Sequence, residues 1–245
     1  ASIGGFAQDL PKEPLSELFA GKPGSAIYAM AENQRGEIAA AGQAAKGENG
    51  GADIFILLLD KDFKTKVQRY IGRNADDGAN HVAAGLDGRW LVAGYSEQPP
   101  GSSPARGRYF GKRDAWFVIL DENGRVSREF IFGTAVDDEF THVTPLPDGG
   151  FLLCGYSGMW AWLLRLTADG EVVWQKKMQY HQLITCALSA VVTLEEQVFL
   201  CGYVAENGKR SMWMTGFNLE GIQMFEEIFP ASQATVGHSI VELGA

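Results

Sequence analysis

The sequence predicts an all-β protein built from repeated four-stranded antiparallel units, and three observations predict it. Short apolar runs end on glycine at Gly42, Gly94, Gly155 and Gly202. A second set of runs opens on an aromatic residue, Phe55, Trp116, Trp162 or Trp213, and five residues after each stands a polar residue, Asp60, Asp121, Thr167 or Asn218. Apolar spacing of the i, i+3, i+4, i+7 kind is sustained nowhere, so helices are not the main element.

Each unit is read in order as strands a, b, c and d. Strand a is the apolar stretch upstream of the anchor glycine, such as His81–Leu86 or His142–Leu146. Asp87-Gly88 and Asp148-Gly149 follow it. Such pairs make tight hairpin turns because glycine tolerates the positive φ they need. Strand b then runs to the anchor, with a small residue just before it (Ala41, Ala93, Cys154, Cys201) and a tyrosine just after it in three units (Tyr95, Tyr156, Tyr203). Small buried thiols in a tight column account for two of the three cysteines. Strand c begins at the aromatic column, and Asn123-Gly124, Asp169-Gly170 and Glu220-Gly221 turn three of the units into strand d, as in Val126–Phe132 and Val172–Met178. Trp90 and Trp160 fall outside the aromatic column and read as surface residues.

The anchors are spaced by 52, 61 and 47 residues (Gly42 to Gly94 to Gly155 to Gly202). Four-stranded units in tandem predict a β-propeller, because one small sheet cannot bury both faces and must pack on its neighbours. Four complete blades are expected, at residues 22–72, 73–133, 134–180 and 181–230. The spacing of Asp9 to Gly21 repeats that of Asp60 to Gly72 and Asp121 to Gly133. Residues 1–21 therefore read as the c–d hairpin of a split closing blade, with residues 231–245, through Gly237–Leu243, as its first strand. No strand b is left for that blade, so the ring is either one of about five blades with an incomplete closure or part of a larger propeller.

The segments Asp148–Ser157 and Ala161–Trp174 resemble a bacterial family of tandem β-propeller repeats, similar to quinoprotein-like and WD40-like blades. The resemblance covers nearly the whole chain, and its motifs specify blades rather than chemistry. It implies a binding or scaffolding module of exported or multidomain proteins. No residue matches a quinone-cofactor ligand, so no cofactor is implied.

Composition excludes several function classes. The chain has 245 residues, a net charge of −9 and 21% charged residues. That balance argues against nucleic-acid binding, which needs a basic face. The longest apolar run, Ile54–Leu59, is far short of the ~18 residues that span a bilayer. Three cysteines without a CxxC pair give neither a disulfide framework nor a zinc site. HExxH, P-loop and GxGxxG motifs are absent, so no catalytic residue and no metal ligand is assigned.

Two groups of candidate binding residues remain. The insertion 97–113 in the b–c connection of the second blade carries Arg106, Arg108, Lys112 and Arg113 behind a Pro/Gly/Ser-rich stretch. Positive charges on a long loop of an acidic protein mark a docking patch for a protein partner, and the same arginines offer a cleavage site to a protease. The second group is Asp77 with His81, Asp138 with His142, and His238, which stand at corresponding places before or within strand a. Carboxylates and imidazoles at a channel mouth are suited to a small polar ligand or to acid–base chemistry; equally, the aspartates cap the d–a turns and the histidines bond within their blades. The leading expectation is a non-enzymatic scaffold that binds protein through its loop face. The alternatives are a glycan or small-ligand binder, with hydrolase or lyase chemistry at the His/Asp mouth, and a regulatory or substrate module of a bacterial protease-linked system cut in the Arg-rich loop.

Overall fold

The computed structural model describes residues 24–45, 50–73, 75–97, 112–230 and 233–242. Among the described residues sixteen strands lie in four antiparallel sheets of four, each in simple chain order. The first holds β1 (Ala26–Glu32), β2 (Ile38–Ala44), β3 (Asp53–Leu59) and β4 (Thr65–Ile71). The second holds β5 (Asp77–Ala84), β6 (Trp90–Glu97), β7 (Arg113–Leu120) and β8 (Val126–Phe132). The third holds β9 (Asp138–Pro145), β10 (Phe151–Ser157), β11 (Trp160–Leu166) and β12 (Val172–Met178), and the fourth β13 (Ile184–Val192), β14 (Gln197–Glu206), β15 (Lys209–Asn218) and β16 (Gln223–Phe229). The fold is a β-propeller, and these are its four complete blades.

The blades pack side by side through three apolar clusters. One joins the first and second blades around Ile56, Trp90 and Trp116; the next joins the second and third around Phe117, Phe140 and Trp162; the third joins the third and fourth around Leu163, Leu200 and Trp213. The first strands β1, β5, β9 and β13 touch one another in succession, so they line the axis. The aromatic column Phe55, Trp116, Trp162 and Trp213 is buried, as its repetition predicts. Trp90 departs from its surface reading. It is 1% exposed and lies in the first inter-blade cluster, whereas Trp160 is exposed.

The anchor glycines have one shared cause. Strand a carries a β-bulge opposite each of them, at Ile27/Ala29, Ala79/His81, Phe140/His142 and Ala187/Ser189. A Cβ on Gly42, Gly94, Gly155 or Gly202 would lie 1.9 Å from the carbonyl oxygen of Ala26, Gly78, Glu139 or Cys186 respectively. The bulge brings backbone where a side chain would stand, and only glycine admits it. In the second and third blades the extra residue of the bulge ties neighbouring blades together. Asn80 Nδ2 donates to the Phe140 carbonyl (2.8 Å), and Thr141 Oγ1 donates to the Ala187 carbonyl (2.8 Å).

The c–d turns obey their polar openers. Asp60 Oδ1 accepts from the backbone N–H groups of Asp62 and Lys64, and Asp121 Oδ1 from those of Asn123 and Arg125. Where the glycine is missing, another residue takes the positive φ: Phe63 in the first c–d turn and Glu196 in the last a–b turn.

Strand a is longer than its apolar run implies. β5 and β9 begin at Asp77 and Asp138, four residues before the histidines. The expected hairpin of residues 1–21 lies outside the described residues. Over the described part of the expected closing strand at 237–243 and just before it, residues 233–242 lie along the fourth blade, where Gly237 N–H donates to the Gly202 carbonyl and Thr235 N–H to that of Arg210 (3.0 Å each). No strand b among the described residues is available to pair with them. No helix among the described residues is long and apolar enough to cross a membrane.

Candidate functional site

The d–a turns and the b–c connections share one face. Asp77 and Asp138 stand at its rim, fully buried. Asp77 Oδ2 accepts from the Arg73 backbone N–H (2.5 Å), and Asp138 Oδ2 from the N–H (2.6 Å) and hydroxyl (2.9 Å) of Thr134. Each aspartate thus closes its own d–a turn. Burial pushes the Asp77 carboxyl up to about 7, against the hydrogen bond from the Arg73 backbone, and the nearby Asp53 charge adds to the rise.

The histidines lie four residues deeper along the same strands, roughly 13 Å at ~3.3 Å per residue. His81 and His142 meet across the boundary between the second and third blades, with ring centroids 3.8 Å apart. Both line an axial cavity of ≈ 260 Å³ whose other walls include Glu32, Val82, Val143 and Ala190. Burial lowers the His81 pKa to about 4. Burial, then repulsion from His81, lowers that of His142 to about 3. Both rings are therefore neutral at pH 7. The backbone of the next blade offsets part of each fall, Val143 at His81 and Ala190 at His142, while Nδ1 of His81 has no hydrogen-bond partner among the described residues. The structure therefore brings together two members of the predicted Asp/His group and places the others elsewhere. Asp77, Asp138 and His238 do not line this cavity, and His238 is exposed.

The insertion meets the rim at Arg113. Its guanidinium donates to Glu97 (2.7 Å) and Glu139 (2.8 Å) and lies 3.9 Å from the centre of the Tyr95 ring. Burial works against its charge, but the two carboxylates outweigh that and hold it above the ordinary arginine pKa. Lys112 is exposed beside it. Arg106 and Arg108 lie outside the described residues.

Around Arg113 runs a network that the sequence reading did not assign. Glu139 accepts from Arg113, from the Tyr156 hydroxyl (2.7 Å) and from Asn80 Nδ2 (2.6 Å). Gln43 Nε2 donates to the Tyr95 hydroxyl (3.1 Å) and to the Asp77 carbonyl (3.3 Å). Burial, then the Glu139 charge, raises the Tyr156 phenol above its ordinary range. The tyrosine column carried a signal for this network, because half-buried hydroxyls need partners. The partner column opposite is Gly78, Glu139 and Cys186, paired with Tyr95, Tyr156 and Tyr203. A glycine, a carboxylate and a thiol share no chemical type, so periodicity alone did not reveal it.

Ser157, which follows an anchor-column tyrosine, accepts a hydrogen bond from Lys177 Nζ (2.7 Å), whose ammonium also sits 4.6 Å from the Trp162 ring centre. Among the described residues no group of three or more His, Cys, Asp or Glu is placed to hold a metal ion.

No protein-family model matches the chain, and no curated protein matches it. Among solved structures it is similar to a protein of unknown function from Bacteroides caccae (TM-score 0.51, 13% identity, 84% of this chain and 62% of that one). It is also similar to Sqt1 from Chaetomium thermophilum (0.45, 14%, 91% and 65%). A third is the β-propeller domain of the Trilobed protease from Pyrococcus furiosus (0.41, 9%, 86% and 70%). The chain spans about two thirds or less of the length of the first two. The likeness is one of fold.

Proposed function

We propose that this propeller is a non-enzymatic scaffold that engages a protein partner through the face bearing its d–a turns and the 97–113 insertion. The observation that carries the reading is the anchoring of Arg113. Two carboxylates and a tyrosine ring hold the end of the insertion to the rim, so the charges that follow the Pro/Gly/Ser stretch spring from a rigid base. Arg106, Arg108 and Lys112 supply the contacts, and Arg113 positions them. Loops that act in recognition are commonly presented by a rigid framework in this way. Rim charges speed association and make binding salt-sensitive.

The test uses crosslinking and quantitative capture with the intact chain and with an Arg106→Glu/Arg108→Glu/Lys112→Glu variant. A partner whose recovery falls by roughly tenfold in the variant, and falls again with added salt, supports the assignment. Recovery indifferent to the triple reversal removes it.

A second reading, a small polar ligand in the axial cavity, is favoured by one observation: His81 lines the cavity, and its Nδ1 is buried with no hydrogen-bond partner among the described residues. In that reading the partners are the two imidazoles and Glu32, and Asp77, Asp138 and His238 do not take part. A His81→Phe/His142→Phe variant that keeps every ligand-induced shift in the proton–nitrogen NMR spectrum would exclude it.

A further inference from the structure

The face opposite the insertion carries the a–b turns, and their tips line up around the axis. The first tip residue is Gln34 in the first blade, then Leu86, Pro147 and Leu194. Hairpin tips ordinarily carry Gly, Pro, Asn, Asp or Ser, whose backbone and side chains suit the turn, and Pro147 fits that pattern. Here Leu86 is 52% exposed and Leu194 is 89% exposed, which contributes little to folding. Together with Pro145 and Val192, the tip residues Leu86, Pro147 and Leu194 line an open groove of ≈ 410 Å³. Pro145 also lines the axial cavity, so it stands between the groove and the channel.

The charge beside this groove is one-sided. At the other tips the acids are matched: Asp87 is bound by Arg89, and Asp148 by Arg165 (2.8 Å). Glu195 and Glu196 beside Leu194 form no ion pair among the described residues. A third carboxylate, Glu242, sits at the same tip and accepts from the Leu194 backbone N–H (3.1 Å). An apolar groove rimmed by uncompensated carboxylates is complementary to an apolar segment that carries cations.

We propose that the a–b face is a second docking surface, for a protein segment that alternates leucine-type side chains with Lys or Arg. The apolar side chains lie in the groove between Leu86 and Leu194, and the cations face Glu195 and Glu196. The surface lies on the face away from Arg113 and does not depend on the role given to the insertion. With both in use, one propeller holds two partners on opposite sides.

The probe is a short dye-labelled peptide of alternating Leu and Lys, followed by fluorescence anisotropy at roughly 0.15 M salt. The expected result is saturable binding that weakens at least about tenfold in Leu194→Ser and in Glu195→Gln/Glu196→Gln, and is unchanged in Arg106→Glu. A Ser-Lys peptide and a Leu-Glu peptide should each bind at least about tenfold more weakly. Because Leu194 is exposed, the variants should melt within a few degrees of the parent. Equal binding of the Ser-Lys peptide would reduce the effect to net charge and overturn the proposal, as would indifference to Leu194→Ser. Sedimentation showing self-association that Leu194→Ser abolishes would assign the groove to a second copy of the chain instead.

Discussion

His81 and His142 stack across the boundary between the second and third blades, ring centroids 3.8 Å apart and planes inclined by 36°. Neutral imidazoles pack there across the blade boundary; charged ones would repel each other in a buried space with Glu32 as the acidic group on the same cavity. The pair therefore joins the blades only while uncharged.

A pH dependence with a defined sign follows. The folded pKa values, about 4 and about 3, lie below the unfolded value of ~6.5. Between these limits the unfolded chain binds more protons, so these two groups make stability fall as pH drops from 6.5 towards 3. Asp77 acts the other way. Its folded value of about 7 lies above the unfolded ~3.9, so its contribution falls as pH rises through that window. Two histidines against one carboxyl give a net loss in acid, on the order of a few kcal/mol at ~1.4 kcal/mol per unit. Urea titrations from pH 7.5 to 4 should show it. Gln at both His81 and His142 should flatten the acid limb, and Asp77→Asn should remove the opposing decline between about pH 4 and pH 7. An acid limb unchanged in the double Gln variant would mean that the histidines do not cause it.

The repeat makes a sharper prediction at its glycines. A methyl on Gly155 would lie 1.9 Å from the Glu139 carbonyl oxygen, whereas one on Gly208 would meet nothing within 4 Å. Gly155→Ala must push β10 off the β9 bulge, at about 3 kcal/mol or more. Gly208→Ala meets only its positive φ of 79°, at about 1–2 kcal/mol. Thermal melts of the two variants should be well separated, with Gly155→Ala the lower; equal melting temperatures would contradict the bulge as the reason for the anchor column.

Those glycines also show what the sequence made legible. Columns of one chemical type repeat in register with the blades, so Gly42, Gly94, Gly155 and Gly202, the aromatic column and the polar turn openers were readable as periodic signals. The bulge was not, since it is a backbone irregularity filled by Tyr28, Asn80, Thr141 and Leu188 in turn. The site was less legible for the same reason. His81 and His142 were visible as a repeated pair, but their meeting depends on packing between blades, and Trp90 is buried by a neighbouring blade that local pattern does not contain.

Glu139 carries the last prediction. It is the only carboxylate among the described residues that accepts from Arg113, Tyr156 and Asn80 together, and it is largely buried. Glu139→Gln keeps the shape but leaves Arg113 with Glu97 alone, and removes the charge that the tyrosine hydroxyl and guanidinium were arranged around. Breaking a buried, hydrogen-bonded ion pair from one side costs about 3–5 kcal/mol, and less where one partner reaches solvent, as Arg113 does. A loss of about 2–3 kcal/mol is expected. Combining it with Arg113→Met should cost clearly less than the sum of the two single changes, because the second removes a charge the first had already stranded. The same change should return the Tyr156 phenol towards its ordinary titration range, read by ultraviolet difference spectra at alkaline pH. Additive energies with an unmoved tyrosine titration would show that the rim contacts are independent and that Arg113 is not held through Glu139.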